Sequence, residues 1–165
     1  ADAAGVTVDN GIVVDPALRS SDRDIFAAGD VANISYPFYG KHIRVEHWAN
    51  DLNQPATAAA SMLGNDATYD KLPYFFADQY DLGMEYVGYV EPGGYDQVVI
   101  RGNATTREFL AFWMPDRYVR AGMNVNVWEV TSQIKALIGS QRRIDPTRLA
   151  DADVDLVELS TDTAG

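Results

Sequence analysis

Ser21-Asp22-Arg23-Asp24-Ile25-Phe26-Ala27-Ala28-Gly29-Asp30-Val31-Ala32 is the stretch from which the rest of the chain is read. Its short apolar run, Ile25 to Ala28, predicts a buried strand that carries the backbone into Gly29. Lacking a β-carbon, Gly29 lets the main chain approach a neighbour closely, and Asp30 then presents a carboxylate, an acceptor and not a donor. A carboxylate so placed can hold a hydroxyl. In open α/β sheets ligands sit in the crevice beyond the carboxyl ends of strands, so a strand ending in Gly-Asp can grip a nucleotide's sugar-like chain. Spacing alone is met more often in an ordinary turn closed by an Asx bond.

The composition bounds what surrounds this stretch. At 165 residues, the chain has room for one ordinary domain or for a small domain joined to a piece of another. With 47% hydrophobic and 22% charged residues it buries a core and is not of disordered composition. A net charge of −11 and a pI near 4.4 disfavour binding to nucleic acid and to anionic membrane surfaces. No apolar run approaches the roughly 18 residues of a membrane span, and no signal peptide is visible. Without cysteine there is neither a disulfide framework nor a thiolate metal site, and cytoplasmic residence is expected. The start, Ala1-Asp2-Ala3-Ala4-Gly5-Val6, has neither an initiator Met nor a glycine-rich phosphate loop, which reads as the C-terminal portion of a longer protein.

Before the central stretch, Val6, Val8, Ile12, Val13 and Val14 flank Asp9-Asn10-Gly11, a hairpin signal because both central positions of such a turn accept positive φ. After it, Tyr36, Phe38 and Tyr39 alternate with Pro37 and Gly40, and Asn33 to Ile43 reads as a loop. Then comes Arg44-Val45-Glu46-His47-Trp48-Ala49-Asn50, leading into an alanine-rich helix that starts near Asn50, with Asn50 or Asp51 as its cap, Pro55 in the first turn and Gly64 at its close. A helix start offers unpaired N–H groups and partial positive charge, which suits an acceptor that becomes negative. His47 reads as core; Trp48 is either core or a contact for a planar ligand.

Polar residues Asn65 to Leu72 mark a boundary, dividing the chain into residues 1–66, residues 72–160 and a loose tail, 161–165. Past Pro73 the pattern is strand after strand: Tyr74 to Gln79, Met84 to Val90, Gln97 to Arg101, Arg107 to Met114 and Tyr118 to Val127, an antiparallel sheet. The period of two in Met123-Asn124-Val125-Asn126-Val127 puts Met and Val on a dry face and Asn on a wet one. Val130, Ile134, Leu137 and Ile138 share one face of a helix that covers the dry side, capped by Asn126 with Glu129 and ended by Gly139. Pro146 to Asp151 is a short final helix. The fold class is therefore mixed α+β.

Taken as a whole, Ser20 to Ala32 resembles the second FAD motif of flavin-dependent pyridine-nucleotide reductases, whose Gly-Asp carboxylate binds the ribityl hydroxyls of FAD. The resemblance implies that role for Asp30. The Glu46-His47-Trp48…Asn50…Asn53-Gln54 wording resembles the same family's segment against the isoalloxazine ring, which implies an FAD contact for Trp48. Tyr74-Phe75-Phe76-Ala77-Asp78-Gln79-Tyr80 and Ala121 to Trp128 resemble the C-terminal domain of ferredoxin and putidaredoxin-type reductases. The architecture thereby implied is the end of an FAD-binding Rossmann-like domain followed by a C-terminal antiparallel sheet covered by helices. One departure is that the family's aromatic cluster near the flavin edge usually contains Trp where this chain has Tyr74 and Phe76.

The implied activity is that of an FAD-dependent NAD(P)H:ferredoxin oxidoreductase, passing electrons from NADH or NADPH through FAD to a ferredoxin-type iron–sulfur protein. Alternatives are a dimerisation or partner-contact module of a related flavoprotein, homodimer included, and a reductase for another acceptor, such as a monodehydroascorbate or nitrite reductase. No catalytic or metal-binding residue is assigned here: the first FAD motif and the nicotinamide motif would precede Ala1, so these residues alone would be inactive. An acidic ferredoxin would call for a basic docking face. Arg101, Arg107, Arg117, Arg120, Arg142, Arg143 and Arg148 are its candidates, unless they are simply dispersed on solvated faces.

Overall fold

Asn10 and Gly11 both adopt positive φ, 47° and 119°, as the Asn-Gly turn requires. In the computed structural model, which describes residues 1–161, this turn closes less than a full hairpin. Val8 and Ile12 form a single antiparallel bridge, and the Val13 N–H donates to the Thr7 carbonyl at 3.1 Å. Strand β1 (Ile12–Val14) instead pairs in parallel with β2 (Ala32–Tyr36), Ile12 opposite Ala32. The chain divides into two compact units, Ala1–Pro73 and a second that begins at Tyr74.

In the first unit, two expected elements come out differently. Ile25 to Ala28 is extended but is no strand: Phe26 makes one bridge to Arg19, Ala27 is buried, and Ile25 is 37% exposed. The turn closed by the Ile25 N–H on Asp22 O leaves too few residues in line to pair further. Asn33 to Ile43 is a hairpin and not a loop. β2 pairs antiparallel with β3 (Lys41–Arg44), and the turn is confined to Pro37–Gly40. The strand formers Ile34, Tyr36 and Ile43 are buried on either side of it, which outweighs the punctuation of Pro37 and Gly40.

Helix α1 (Trp48–Met62) begins two residues before Asn50, with His47 at its N-cap. Pro55 therefore lies beyond the first turn, on the exposed side, where water can solvate the Asp51 carbonyl that its missing N–H leaves unpaired. Gly64 N–H on Ser61 O and Asn65 N–H on Ala60 O close the helix in a Schellman motif. The buried stripe is Asn50, Gln54, Ala58 and Ser61, polar or small, while Trp48 and Leu52 are exposed on the other side and Met62 and Leu63 at the C-terminal end.

The second unit is a five-stranded antiparallel sheet in the order β4 (Tyr74–Gln79), β5 (Leu82–Gly88), β8 (Ala121–Val125), β7 (Glu108–Met114), β6 (Gln97–Asn103). Its strands follow the sequence pattern closely. The faces do not. Helix α2 (Thr131–Ser140) buries Ile134, Leu137 and Ile138 over the face that carries Val87, Phe112 and the fully buried Asn124. A Cβ on Gly122 would lie 2.6 Å from Ile134 Cγ2, so the helix rides on bare backbone there. Met123 belongs to the other face with Phe75, Tyr86 and Trp113, whose rings lie 5.2 and 5.3 Å apart in sequence. Asn124 tolerates burial because its amide donates to Val127 O and to Glu85.

Asn126 does not cap α2. With φ at 51°, its side chain accepts from Gly83 N–H and donates to Asp81 O, tying the end of β8 to the β4–β5 turn. Gly139 lies inside the helix, and Gln141 in the left-handed region ends it. Helix α3 (Pro146–Ala150) starts as expected, with the Asp145 carboxylate accepting the Thr147 N–H. The short helix α4 (Leu156–Thr161) was not anticipated; of the expected loose tail, Thr161 ends this helix and residues 162–165 lie outside the described residues.

Arg101 on β6 holds the α3–α4 connection. Its guanidinium donates to the carbonyls of Leu149, Asp151, Ala152 and Val154, at 2.6 Å for Asp151 and Val154. Such a rigid fork suits convergent carbonyls better than a point charge does. Arg101→Ala should therefore lower stability by about 2 kcal/mol with Arg101→Lys recovering little of it, read as a shift in urea midpoint at unchanged slope.

Candidate functional site

A 3-10 turn of three residues, Gly29–Val31, leads into β2 and has two N–H groups of its own to place. Both go to side chains of α1. Gly29 N–H donates to Gln54 Oε1 at 2.7 Å, and Asp30 N–H donates to Asp51 Oδ1 at 3.0 Å. From the other side Arg44 Nε donates to the Asp30 carbonyl at 2.7 Å. The same guanidinium reaches Asn10 Oδ1 and pairs with Glu46. The turn is thus held on both faces while the Asp30 side chain stays exposed.

Gln54 is 1% exposed and belongs to a buried polar seam under α1. Tyr69 OH donates to Asn50 Oδ1 at 3.0 Å, and Asn50 Nδ2 donates to Val45 O. Tyr36, wholly buried, directs its hydroxyl toward Asn50 and Gln54; burial pushes it up to about 12 and these amides oppose the rise. Burial likewise raises the Tyr69 hydroxyl. Both phenols stay protonated and act as donors or acceptors of fixed form.

Of the residues singled out in the sequence, Asp30 is bonded through its backbone to the helix turn that Trp48 opens. Trp48 is the first residue of α1 and is 65% exposed, and Asp51 in the same first turn grips the Asp30 amide. The start of the helix thus presents an indole and the positive end of its dipole, and grips the segment that carries a carboxylate. A carboxylate suited to hydroxyls with an open indole suited to a planar ring is the donor set that a flavin dinucleotide needs, so the residues present fit that group. An open groove of about 480 Å³ lined by Arg19, Arg23, Phe26 and Met62 lies instead by the C-terminal end of α1 and takes no part in this arrangement.

Tyr74 and Phe76 lie in the second unit, on the same side of β4. Phe76 is half exposed. Tyr74 OH donates to Glu85 at 2.7 Å, and burial together with this bond pushes the phenol up to about 12. Burial would raise the Glu85 carboxyl, but hydrogen bonds from Tyr74, Thr131 and Asn124 and the charge of Lys135 hold it below its ordinary range. Of the arginines of this unit, Arg101 is spent on carbonyls, Arg107 and Arg148 stand beside Asp81 and Glu158, and Arg143, paired with Asp116, approaches the Tyr118 ring together with Arg120.

Sequence reading missed Asp51, Gln54 and Arg44 as parts of the site. Asp51 was read as a cap, and nothing in the order of residues connects positions 29 and 30 to side chains 25 and 21 residues on.

Residues 74–160 match the family described as Reductase C-terminal, and residues 1–61 match Pyridine nucleotide-disulphide oxidoreductase. The chain is 40% identical to the anthranilate 1,2-dioxygenase system ferredoxin–NAD(+) reductase component of Burkholderia cepacia, over 94% of this chain and 38% of that protein. It is 35% identical to putidaredoxin reductase of Pseudomonas putida, over 96% of this chain and 37% of that one. Among solved structures, the ferredoxin reductase for the CYP199A2 system of Rhodopseudomonas palustris superimposes with a TM-score of 0.86 at 33% identity, covering 96% of this chain and 39% of that one. This chain thus spans well under half the length of the curated relatives it matches.

Burial holds the His47 imidazole below its ordinary value, against the upward pull of the Asp30 carboxylate. In the unfolded chain His47 binds a proton at higher pH than in the fold, so its contribution to stability is whole above about pH 6.5 and falls away as pH drops below that value. An NMR titration should find the His47 midpoint below about 6.5, and Asp30→Asn, by removing the opposing charge, should move it lower still.

Proposed function

We propose, since this chain belongs to the Reductase C-terminal family, that the whole protein is an FAD-dependent NAD(P)H:ferredoxin oxidoreductase. What carries the reading is the bond that holds the Asp30 segment to the turn of α1 that Trp48 opens, in a chain whose relatives are named ferredoxin reductases. Residues 1–66 form the end of its FAD-binding domain and residues 72–160 its C-terminal domain.

Asp30 accepts hydrogen bonds from the ribityl hydroxyls. Trp48 lies against the ring system, and the N–H groups opening α1 favour negative charge near it. When bound, FAD supplies the step between a two-electron hydride donor and a one-electron acceptor. The nicotinamide site, and with it the choice between NADH and NADPH, belongs to the remainder of the protein, so these residues by themselves are inactive.

The electron acceptor is a ferredoxin-type iron–sulfur protein. Support comes from the solved covalent complex of putidaredoxin reductase with putidaredoxin, whose reductase superimposes on this chain with a TM-score of 0.86 at 34% identity. Cytoplasmic residence belongs to the same proposal and is supported by the lack of cysteine. No helix of the described residues is long and apolar enough to cross a membrane. A homodimer formed through the second unit is part of the same reading.

In the full-length protein Asp30→Ala should weaken FAD binding about tenfold or more, and Trp48→Ala should shift the visible flavin absorption. NADH- or NADPH-driven cytochrome c reduction should require added ferredoxin. Wild-type FAD affinity and spectrum in both variants would overturn the assignment of the site.

A further inference from the structure

The Asp51 carboxylate does something unusual for an acid in the first turn of a helix. Acids there ordinarily face solvent or their own helix's N–H groups. Asp51 Oδ1 instead takes the N–H of Asp30, from a separate segment, at 3.0 Å. Gly29 is shaped to admit it: its φ is +75°, and a Cβ at that position would lie 2.2 Å from the same oxygen. The close approach of carboxylate to backbone exists because residue 29 has no side chain.

Gln54 secures the Gly29 amide from inside and Arg44 secures the Asp30 carbonyl. The peptide joining Gly29 to Asp30 is held at its carbonyl by the Ala32 N–H and at its own N–H by the Asp51 side chain. The plane of that peptide determines the direction of the Asp30 Cα–Cβ bond. Because Asp30 and Asp51 are both exposed, water can replace the lost acceptor, so the bond matters more for direction than for stability.

We infer that Asp51 is a positioning residue, which orients the Gly29–Asp30 peptide and so aims the Asp30 carboxylate at the hydroxyls of the cofactor. The inference rests on the reading that Asp30 holds the ribityl chain, and it adds a second acid to the site that acts through the first. An amide oxygen accepts the same N–H, so the role needs the acceptor and not the charge.

The test uses the full-length protein, with FAD dissociation constants measured by quenching of flavin fluorescence and folding checked by thermal melting of the apoprotein. Asp51→Ala should raise the FAD dissociation constant about tenfold with the apoprotein melt within about 2 °C of wild type. Asp51→Asn should recover most of that affinity. Wild-type affinity in Asp51→Ala overturns the inference, as does an equal loss in Asp51→Asn, which would assign the effect to charge. A melt lowered by more than about 5 °C in both variants also overturns it, making the bond structural. Asp30→Ala, measured alongside, separates the two claims: unchanged FAD binding there sinks the site assignment itself, whereas a loss there with none in Asp51→Ala sinks the positioning role alone.

Discussion

A buried amide oxygen, that of Gln54, receives the Gly29 N–H, and the first unit depends on that bond. It joins helix to turn at a point from which water is excluded, so losing the acceptor would strand a donor at a cost of about 1–3 kcal/mol. Around it Asn50, Tyr69 and Tyr36 complete a polar seam in which each group limits where the next can go. A seam of apolar residues would let α1 slide or roll; directional bonds to Gly29, Val45 and Tyr69 hold one register. The carboxylate of Asp30 and the indole of Trp48 inherit their placement from that register.

The second unit has a counterpart in Glu85. One carboxylate on β5 gathers the Tyr74 hydroxyl, the Asn124 amide and the Thr131 hydroxyl that opens α2, and thereby couples two strands and a helix. Those donors, with the nearby Lys135, keep it ionised although it is half-buried. Tyr74 is therefore held by its hydroxyl and not merely packed. In each unit a polar side chain fixes the pose of a residue that the sequence singles out.

Much of this was legible in the residues themselves. Runs of strand-forming residues between turn signals placed β4 to β8 within a few residues of their ends. Asp30 and Trp48 were singled out through the wording of their segments, which no propensity encodes. The faces of the sheet were misread because Asn124 looks like a surface residue until its bonds to Val127 and Glu85 are known. The β2–β3 hairpin was hidden by Pro37 and Gly40, whose turn signal masked the strands on either side. Asp51 escaped because its partner comes from tertiary packing alone.

Helix α1 reverses the usual standard, polar or small where it is buried and apolar at exposed positions of both its ends. Where nothing covers them, Trp48 and Leu52 at one end and Met62 and Leu63 at the other form a greasy ridge broken in the middle. The only general opposition to clumping would be the repulsion of a molecule with net charge −11. Added salt weakens that repulsion while leaving the ridge as sticky as before, so the colloidal behaviour of the chain is governed by ionic strength more than by how well it folds.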